Sequence, residues 1–441
     1  MSTSATTTDN GADGASLSDR ALAFLARPDV ARLLEAAGRD YLTDATLAAC
    51  LEGSELKPDE ARTLLSAALR PLGVLGTKVG DFQYWLYVTA EIRRCLHLID
   101  TTCTDGSQLA RALAEHPAAG VRLNVITAIA SARLDGVEID FDSAQELLLL
   151  TRRPRNNPEC VVANSFALYG EVAEYARRAP SVEMYAEIYG RLTEGIAKPN
   201  GWLDAPRTSE KNIGPFTFAT ARAVIEKACS ISEEDSKVTG GHPAIVGMRL
   251  LSIFLIAEPC PMLNGTMGRL AQHIHAVRSG FPTLGVAPYA EVYADWQRGA
   301  IGAAEGIGDA YIPPRSPQGS PMRADITEWA TRQMQVVARA IQRVREEVDA
   351  AEAEYQTLRC LLVVDPPMNR RQRSILGRSL ESTDAEFRIA WHKTANDIAY
   401  STARADLEEL VERGLLLRER EGHSFVYRPA EGIADRVVAR S

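Results

Sequence analysis

The stretch HPAIVGMRLLSIFLIAEPCPMLNGTMGRLAQHIH, residues 242–275, decides how this chain is read. From Pro243 to Ala257 it is apolar almost all round, interrupted only by Arg249, which predicts a buried central helix rather than a surface one. That helix ends at Glu258, a short loop containing Pro259 follows, and a second helix begins near Asn264-Gly265. Free N–H groups and the positive dipole end make a helix start an anion site, and Gly265 lets a ligand approach the backbone. Arg269, one turn on, is placed to reach back to the same anion, with Leu263 and Thr266 beside it. Across the loop stands Glu258. Among Ile253, Phe254, Leu255, Ile256, Cys260 and Met262 its carboxyl is expected to be desolvated, and desolvation raises a carboxyl pKa towards the range of a general base.

Other side chains here carry less. His273 and His275 are two apart, so they point to different faces of a helix and do not form the i, i+4 pair that binds a metal; at most one, His273, lines the cleft. Cys260 is a secondary candidate, a nucleophile beside a helix start or a small core thiol. His242 reads as a helix-start residue before Pro243.

Working outward, residues 1–16 are rich in Ser, Thr, Gly and Asp with no basic start and no apolar core, a disordered tail rather than a secretory signal. Residues 17–145 repeat apolar positions at three and four between Pro and Gly breaks, and read as a stack of short helices, an accessory domain with no catalytic pattern. A polar, Pro-broken segment precedes the middle domain, 146–360. Asn200 to Thr217 is poor in helix formers and suits a loop or short hairpin, and Ile307 to Met322 is an irregular, Pro-rich crossing. The steps Ala330, Met334, Val337, Ile341, Val344, Val348, Ala351, Tyr355 and Leu358 form a seam for docking along the chain's own domain or for a homodimer through the 326–358 helix. Residues 366–430 read helix, helix, helix and hairpin, the order of a winged helix.

Composition sets the class. With 441 residues, several domains are expected, and 46% hydrophobic with 24% charged residues is ordinary for a folded soluble protein. The net charge of −9 provides no global pull towards phosphate or anionic lipid. The helix at 401–413 carries Arg404 and Arg413 against Asp406, Glu408, Glu409 and Glu412, so DNA is disfavoured as a partner and a packing or dimer role favoured. Seven scattered cysteines without a CxxC pair predict neither a disulfide framework nor a zinc site. The most apolar run, Leu250 to Ala257, is too short for a membrane span. A cytoplasmic protein with no membrane partner is expected.

The 242–275 stretch resembles the Fic family, whose signature is His-x-Phe-x-Asp/Glu-Gly-Asn-Gly-Arg-x-x-Arg between two such helices. Pro259, Asn264, Gly265, Gly268 and Arg269 fit that pattern, as does the apolar helix leading in. Val161 to Leu168 is similar to the family's early core helix, and Arg207, Thr208 and Ser209 to its flap. The resemblance covers roughly residues 145 to 430. It implies a mainly α fold: a helical N-terminal domain, a Fic-like helical core with a small β-hairpin flap, and a C-terminal winged helix-turn-helix.

Against the motif the departures are selective. The family's catalytic His falls at Glu258, its Phe at Cys260, its metal-holding acid at Met262, its first Gly at Leu263 and its first Arg at Thr266. A thioether is no ligand for magnesium, which needs hard oxygens, so magnesium and ATP are disfavoured and no cofactor is expected. Losing an Arg at 266 removes about one charge-assisted phosphate contact, about 1.5 to 3 kcal/mol. Glu159, the one residue matching the family's inhibitory motif, supports no regulation. Three functions follow: an enzyme for acid–base chemistry, elimination or dehydration or transfer, on a small anionic or carrier-bound metabolite with Glu258 as base; a catalytically inactive regulator or scaffold; and residual AMP transfer.

Overall fold

The computed structural model of the chain describes residues 19, 22–23, 25–27, 30–69, 73–79, 82–149, 153–196, 200–206, 218–233, 241–297, 323–363, 368–381, 384–421 and 424–433. The chain is mainly helical and divides into two units, Met1–Glu347 and Val348–Ser441.

The first unit opens with three short helices, α1 (Val30–Arg39), α2 (Asp44–Cys50) and α3 (Pro58–Leu69). The Thr43 hydroxyl caps α2 by accepting the Thr46 N–H, the usual N-cap role of a short hydroxyl side chain. Their small core gathers Leu33, Leu47, Ala61 and Leu65. Strands β1 (Val74–Val79) and β2 (Phe82–Leu86) then pair antiparallel, and β2 pairs in parallel with the distant β3 (Arg323–Asp325). The helical stack read from the sequence at 17–145 therefore contains a sheet. Its parallel partner lies over 200 residues away, where local periodicity gives no sign of it.

Helices α4 (Ala90–Thr102), α5 (Gln108–Glu115), α6 (Pro117–Leu134) and α7 (Phe141–Leu149) lead to α8 (Asn157–Gly170), α9 (Val172–Ala176), α10 (Val182–Leu192) and α11 (Ala221–Glu233). The central pair is α12 (Pro243–Ala257) and α13 (Asn264–Arg278), followed by α14 (Tyr289–Gln297). As its composition predicts, α12 buries residues on every side, Val246, Leu250, Leu251 and Phe254 among them. His242 starts it: Nδ1 accepts the Ala244 N–H at 3.1 Å, and Nε2 lies 2.9 Å from Asp100 on α4. Gly268 lets α13 lie against α12, because a Cβ there would stand 3.0 Å from Leu251 Cδ1 and 3.2 Å from the Leu251 carbonyl.

The core around this pair draws in Val125, Ala128, Ile129 and Ala132 from α6 and Ala144 and Leu147 from α7. The residues assigned to an accessory domain ending at 145 thus reach into the middle domain's core, and no break in packing falls at that boundary. Helix α15 (Thr327–Val363) spans the predicted seam: Ala330, Met334, Val337, Ile341, Val344, Val348 and Ala351 on it are buried, whereas Tyr355 is exposed.

The second unit comprises α16 (Arg370–Glu381), α17 (Ile389–Asn396), α18 (Tyr400–Glu412) and the antiparallel hairpin β4 (Leu416–Glu421) and β5 (Ser424–Pro429). Gly414, at φ 66°, ends α18 in the left-handed region that glycine adopts without cost. Phe387 forms an isolated antiparallel bridge with Tyr427. Inside, Asp406 accepts Arg371 Nε at 2.7 Å and Asn369 Nδ2 at 2.8 Å, and lies 3.0 Å from His392 Nε2. Burial opposes ionisation of Asp406, but these partners outweigh it and hold its pKa below the usual carboxylate range.

The expected tail at 1–16, the flap residues Arg207, Thr208 and Ser209, and the crossing at 307–322 lie outside the described residues. Pro206 and Thr220, on either side of residues 207–217, form an isolated antiparallel bridge. Among the described residues, Cys50, Cys95, Cys103, Cys160, Cys229 and Cys260 form no disulfide, and no helix is long and apolar enough to cross a membrane.

Candidate functional site

Two residues in the left-handed region shape the loop between α12 and α13, Glu258 at φ 41° and Leu263 at φ 59°. Neither is a glycine, and such backbone costs roughly 1–2 kcal/mol per residue. The turn at Glu258 carries its side chain out of the core: Glu258 is exposed, although Ile253, Phe254, Ile256 and Cys260 around it in sequence are buried. The expectation of a desolvated carboxyl is therefore corrected. Local apolar composition predicts burial only if the backbone keeps its helical course, and here it leaves it.

Leu263 turns inward, 7% exposed, into the core of the central pair. Asn264 closes the loop on itself: its Oδ1 accepts the Cys260 N–H and its Nδ2 donates to the Cys260 carbonyl, both at 2.8 Å. Cys260 is buried in the same core, and Met262 is exposed.

The start of α13 is not an open anion cradle. Gly265, Thr266 and Arg269 are buried, and the carboxylate of Asp135, just past the end of α6, lies against Thr266 and Arg269. Asp135 Oδ2 accepts the Thr266 N–H at 2.7 Å and the Thr266 hydroxyl at 2.6 Å. The same oxygen lies 3.4 Å from Arg269 Nη2. Arg269, wholly inaccessible, also donates from Nε to the Ser131 hydroxyl at 2.8 Å and from Nη2 to the Ser131 carbonyl at 3.0 Å. The Ser131 hydroxyl lies 3.1 Å from both the Tyr169 hydroxyl and the Thr266 hydroxyl. Burial pushes the Tyr169 hydroxyl pKa up, so it stays protonated. An internal carboxylate thus takes one N–H of the helix start, that of Thr266, and faces the arginine that was expected to bind a ligand.

Chains of known structure include one of similar shape. It is a Fic family protein from Desulfovibrio desulfuricans, matched over 78% of this chain and 96% of that one at 17% identity, with a TM-score of 0.45. No family model matches this sequence, and no curated protein matches it.

His273 is buried between Tyr169 and Tyr289, with ring centroids at 5.3 and 4.9 Å, and its Nδ1 lies 3.0 Å from the Leu284 carbonyl. Its Nε2 is buried with no hydrogen-bond partner among the described residues. Burial lowers its pKa to about 4, which keeps the ring neutral. His275 points elsewhere, towards Ser232 and Ser279, as the two-residue spacing requires.

Met262 offers an exposed thioether where the resemblance puts a metal-holding acid, and Asp135 is engaged by Thr266 and Arg269. The structure brings together Thr266 and Arg269, holds Leu263 and Cys260 in the core, and leaves Glu258 outside. Sequence reading missed Asp135, Ser131 and Tyr169. The only local signal was Asp135-Gly136 closing α6, which marks a helix end and says nothing of what the side chain meets.

Proposed function

We propose that this protein is a Fic-like scaffold or regulator that has lost nucleotide transfer and works through surfaces rather than through the α12–α13 loop. The observation that carries this reading is the Asp135 carboxylate on Thr266 and Arg269: two of the residues that would grip a phosphate already hold an internal anion. Met262 and Thr266 in place of an acid and an arginine argue the same way. In the second unit, the order α16, Phe387 bridge, α17, α18 and hairpin supports a winged-helix module. Several of its arginines are answered by carboxylates: Arg371 by Asp406, Arg418 by Glu408, and Arg388 and Arg428 by Glu421 and Glu386. That pairing favours a protein contact over nucleic acid.

Incubation of the full chain with ATP or UTP labelled on the α-phosphate, with magnesium and a cell extract, tests the reading. No label on any protein is expected. Label transfer would revive residual AMP or UMP transfer.

A second reading keeps an enzyme, with exposed Glu258 as base towards a small anionic or carrier-bound substrate arriving from solvent. What favours it is the strained backbone at Glu258 and Leu263, since such residues cluster at functional sites. A Glu258→Gln variant that folds normally yet loses turnover of a co-encoded pathway's intermediate supports it, and unchanged turnover removes it.

A further inference from the structure

We propose that the outer face of α16 in the second unit, together with Trp391 of α17, is a docking surface for an acidic segment of a partner protein. The proposal rests on the reading of the chain as working through surfaces. That reading falls by nucleotide label transfer, whereas this site falls by the titration below.

Helix periodicity gives α16 two unlike faces. Gln372, Ile375, Leu376 and Ser379 are buried, and Ile375 and Leu376 belong to the unit's own core. On the opposite side Arg370, Ser374 and Arg378, at i, i+4 and i+8, are exposed, and Arg373 lies half-buried beside them. Over residues 370–378 this row carries three cations and no carboxylate. At 1.5 Å per residue it is about 12 Å long. Other arginines of the unit are met from within, Arg371 by Asp406, Arg418 by Glu408 and Arg428 by Glu386. Among the described residues, no carboxylate forms an ion pair with Arg370, Arg373 or Arg378. The row is therefore a positive surface without an internal partner, and it complements a negative one.

Arg378 is the anchor. Its guanidinium lies over the Trp391 ring, 4.7 Å from the centroid, and the indole is itself 45% exposed. Stacking uses the flat face of the guanidinium and leaves the N–H fork at its edge for a planar, bidentate acceptor. Held in this way, the side chain loses less freedom on binding than a fully solvated arginine. Arginine and tryptophan are also the residue types that carry most of the energy at protein interfaces.

A carboxylate and a phosphate both fit such a fork. The charge around the row favours the carboxylate of a peptide. A nucleic acid duplex approaching through α18 and the hairpin would meet Glu412, Glu419 and Glu421, all exposed, whereas the positive charge is confined to one face of α16. An extended segment of about four to five residues matches the length of the row. An apolar residue within it would lie on the exposed part of the Trp391 ring.

Fluorescence anisotropy of the full chain with labelled Glu-Glu-Leu-Glu-Glu, at neutral pH and low salt, tests the site. The comparison probes are the peptide with glutamine for glutamate, a labelled DNA duplex and phosphatidylserine vesicles. Saturable binding of the acidic peptide is expected, with little of the glutamine peptide. Arg370→Glu combined with Arg378→Glu is expected to weaken it about tenfold or more. The exposed pair Arg39→Glu with Arg94→Glu alters the net charge equally in the first unit and should change affinity about twofold or less. Trp391→Ala removes the stack and keeps every charge, and a loss of about threefold is expected. Thermal melting checks that each variant is folded. Absence of acidic-peptide binding, equal binding of the glutamine peptide, or equal loss in both double variants overturns the proposal. So does a duplex or a vesicle that binds more tightly than the peptide and depends on Arg370 and Arg378.

Discussion

Asp135 holds the backbone N–H and the hydroxyl of Thr266 at 2.7 and 2.6 Å, and so caps the start of α13 from 131 residues upstream. The contact does two jobs, since the same carboxylate also faces the inaccessible guanidinium of Arg269. Removing one member of a buried pair leaves the other charge without compensation, which costs several kcal/mol. Asp135→Ala is expected to lower the unfolding free energy by about 3 kcal/mol, read from urea denaturation.

Helix packing supplies a second prediction. Alanine ordinarily stabilises a helix over glycine by about 1 kcal/mol. At Gly268 the added methyl would meet the Leu251 carbonyl at 3.2 Å as well as two side-chain carbons at 3.0 Å, and backbone cannot yield as a rotamer can. Overpacking of this kind costs about 1–3 kcal/mol, so Gly268→Ala is expected to be destabilising overall by thermal denaturation.

The two left-handed residues should respond with opposite signs. Glu258 is exposed, so Glu258→Gly relieves backbone strain and loses little packing; a gain of about 0.5–1 kcal/mol is expected. Leu263 is buried, and Leu263→Gly forfeits about 2 kcal/mol of apolar burial against a similar relief of strain, plus the cavity left behind. Its net effect is a loss, measurable on the same melting curves.

Stability should fall in mild acid. Burial lowers His273 and His275 to about 4, helped at His275 by Arg278 and Arg249. The unfolded chain takes up these protons from about pH 6.5 downward, while the folded chain does not until about pH 4. Their contribution is therefore whole above pH 6.5 and declines as pH drops towards 4, at up to about 1.4 kcal/mol per pH unit for each histidine. Urea denaturation at pH 7.5, 6.5, 5.5 and 4.5 reads this, and His275→Gln should make the slope shallower.

Much of the frame is legible in local sequence patterns. Pro243 and the all-round apolar run to Ala257 announce a buried helix, the four-three steps from Ala330 announce the long α15, and Gly414 announces the end of α18. These are local signals with local causes. What stays hidden is non-local or directional. Nothing in the sequence near Thr266 points to Asp135, and nothing near Phe82 points to its parallel neighbour at 323–325. For Glu258, apolar neighbours on both sides suggest burial, but one left-handed residue reverses the direction of the side chain.

The acidic character of 401–413 is also legible, and the ion pairs sharpen its consequence. Glu408 holds Arg418 at 2.8 Å and Arg404 at 3.7 Å. Glu408→Gln should release both, so that a gel-shift assay finds tighter DNA binding and a steeper salt dependence in the variant, by about one to two phosphate contacts, than in the native chain.

The central claim is that the start of α13 is already filled from within. The direct measurement is the melting temperature of the native chain and of Asp135→Ala with rising inorganic phosphate, and with magnesium ATP, at constant ionic strength. Neither ligand should shift the native protein, while phosphate should partly restore the variant by taking the place of the missing carboxylate. A saturable rise in the native protein, equal to or larger than that in Asp135→Ala, would contradict the account.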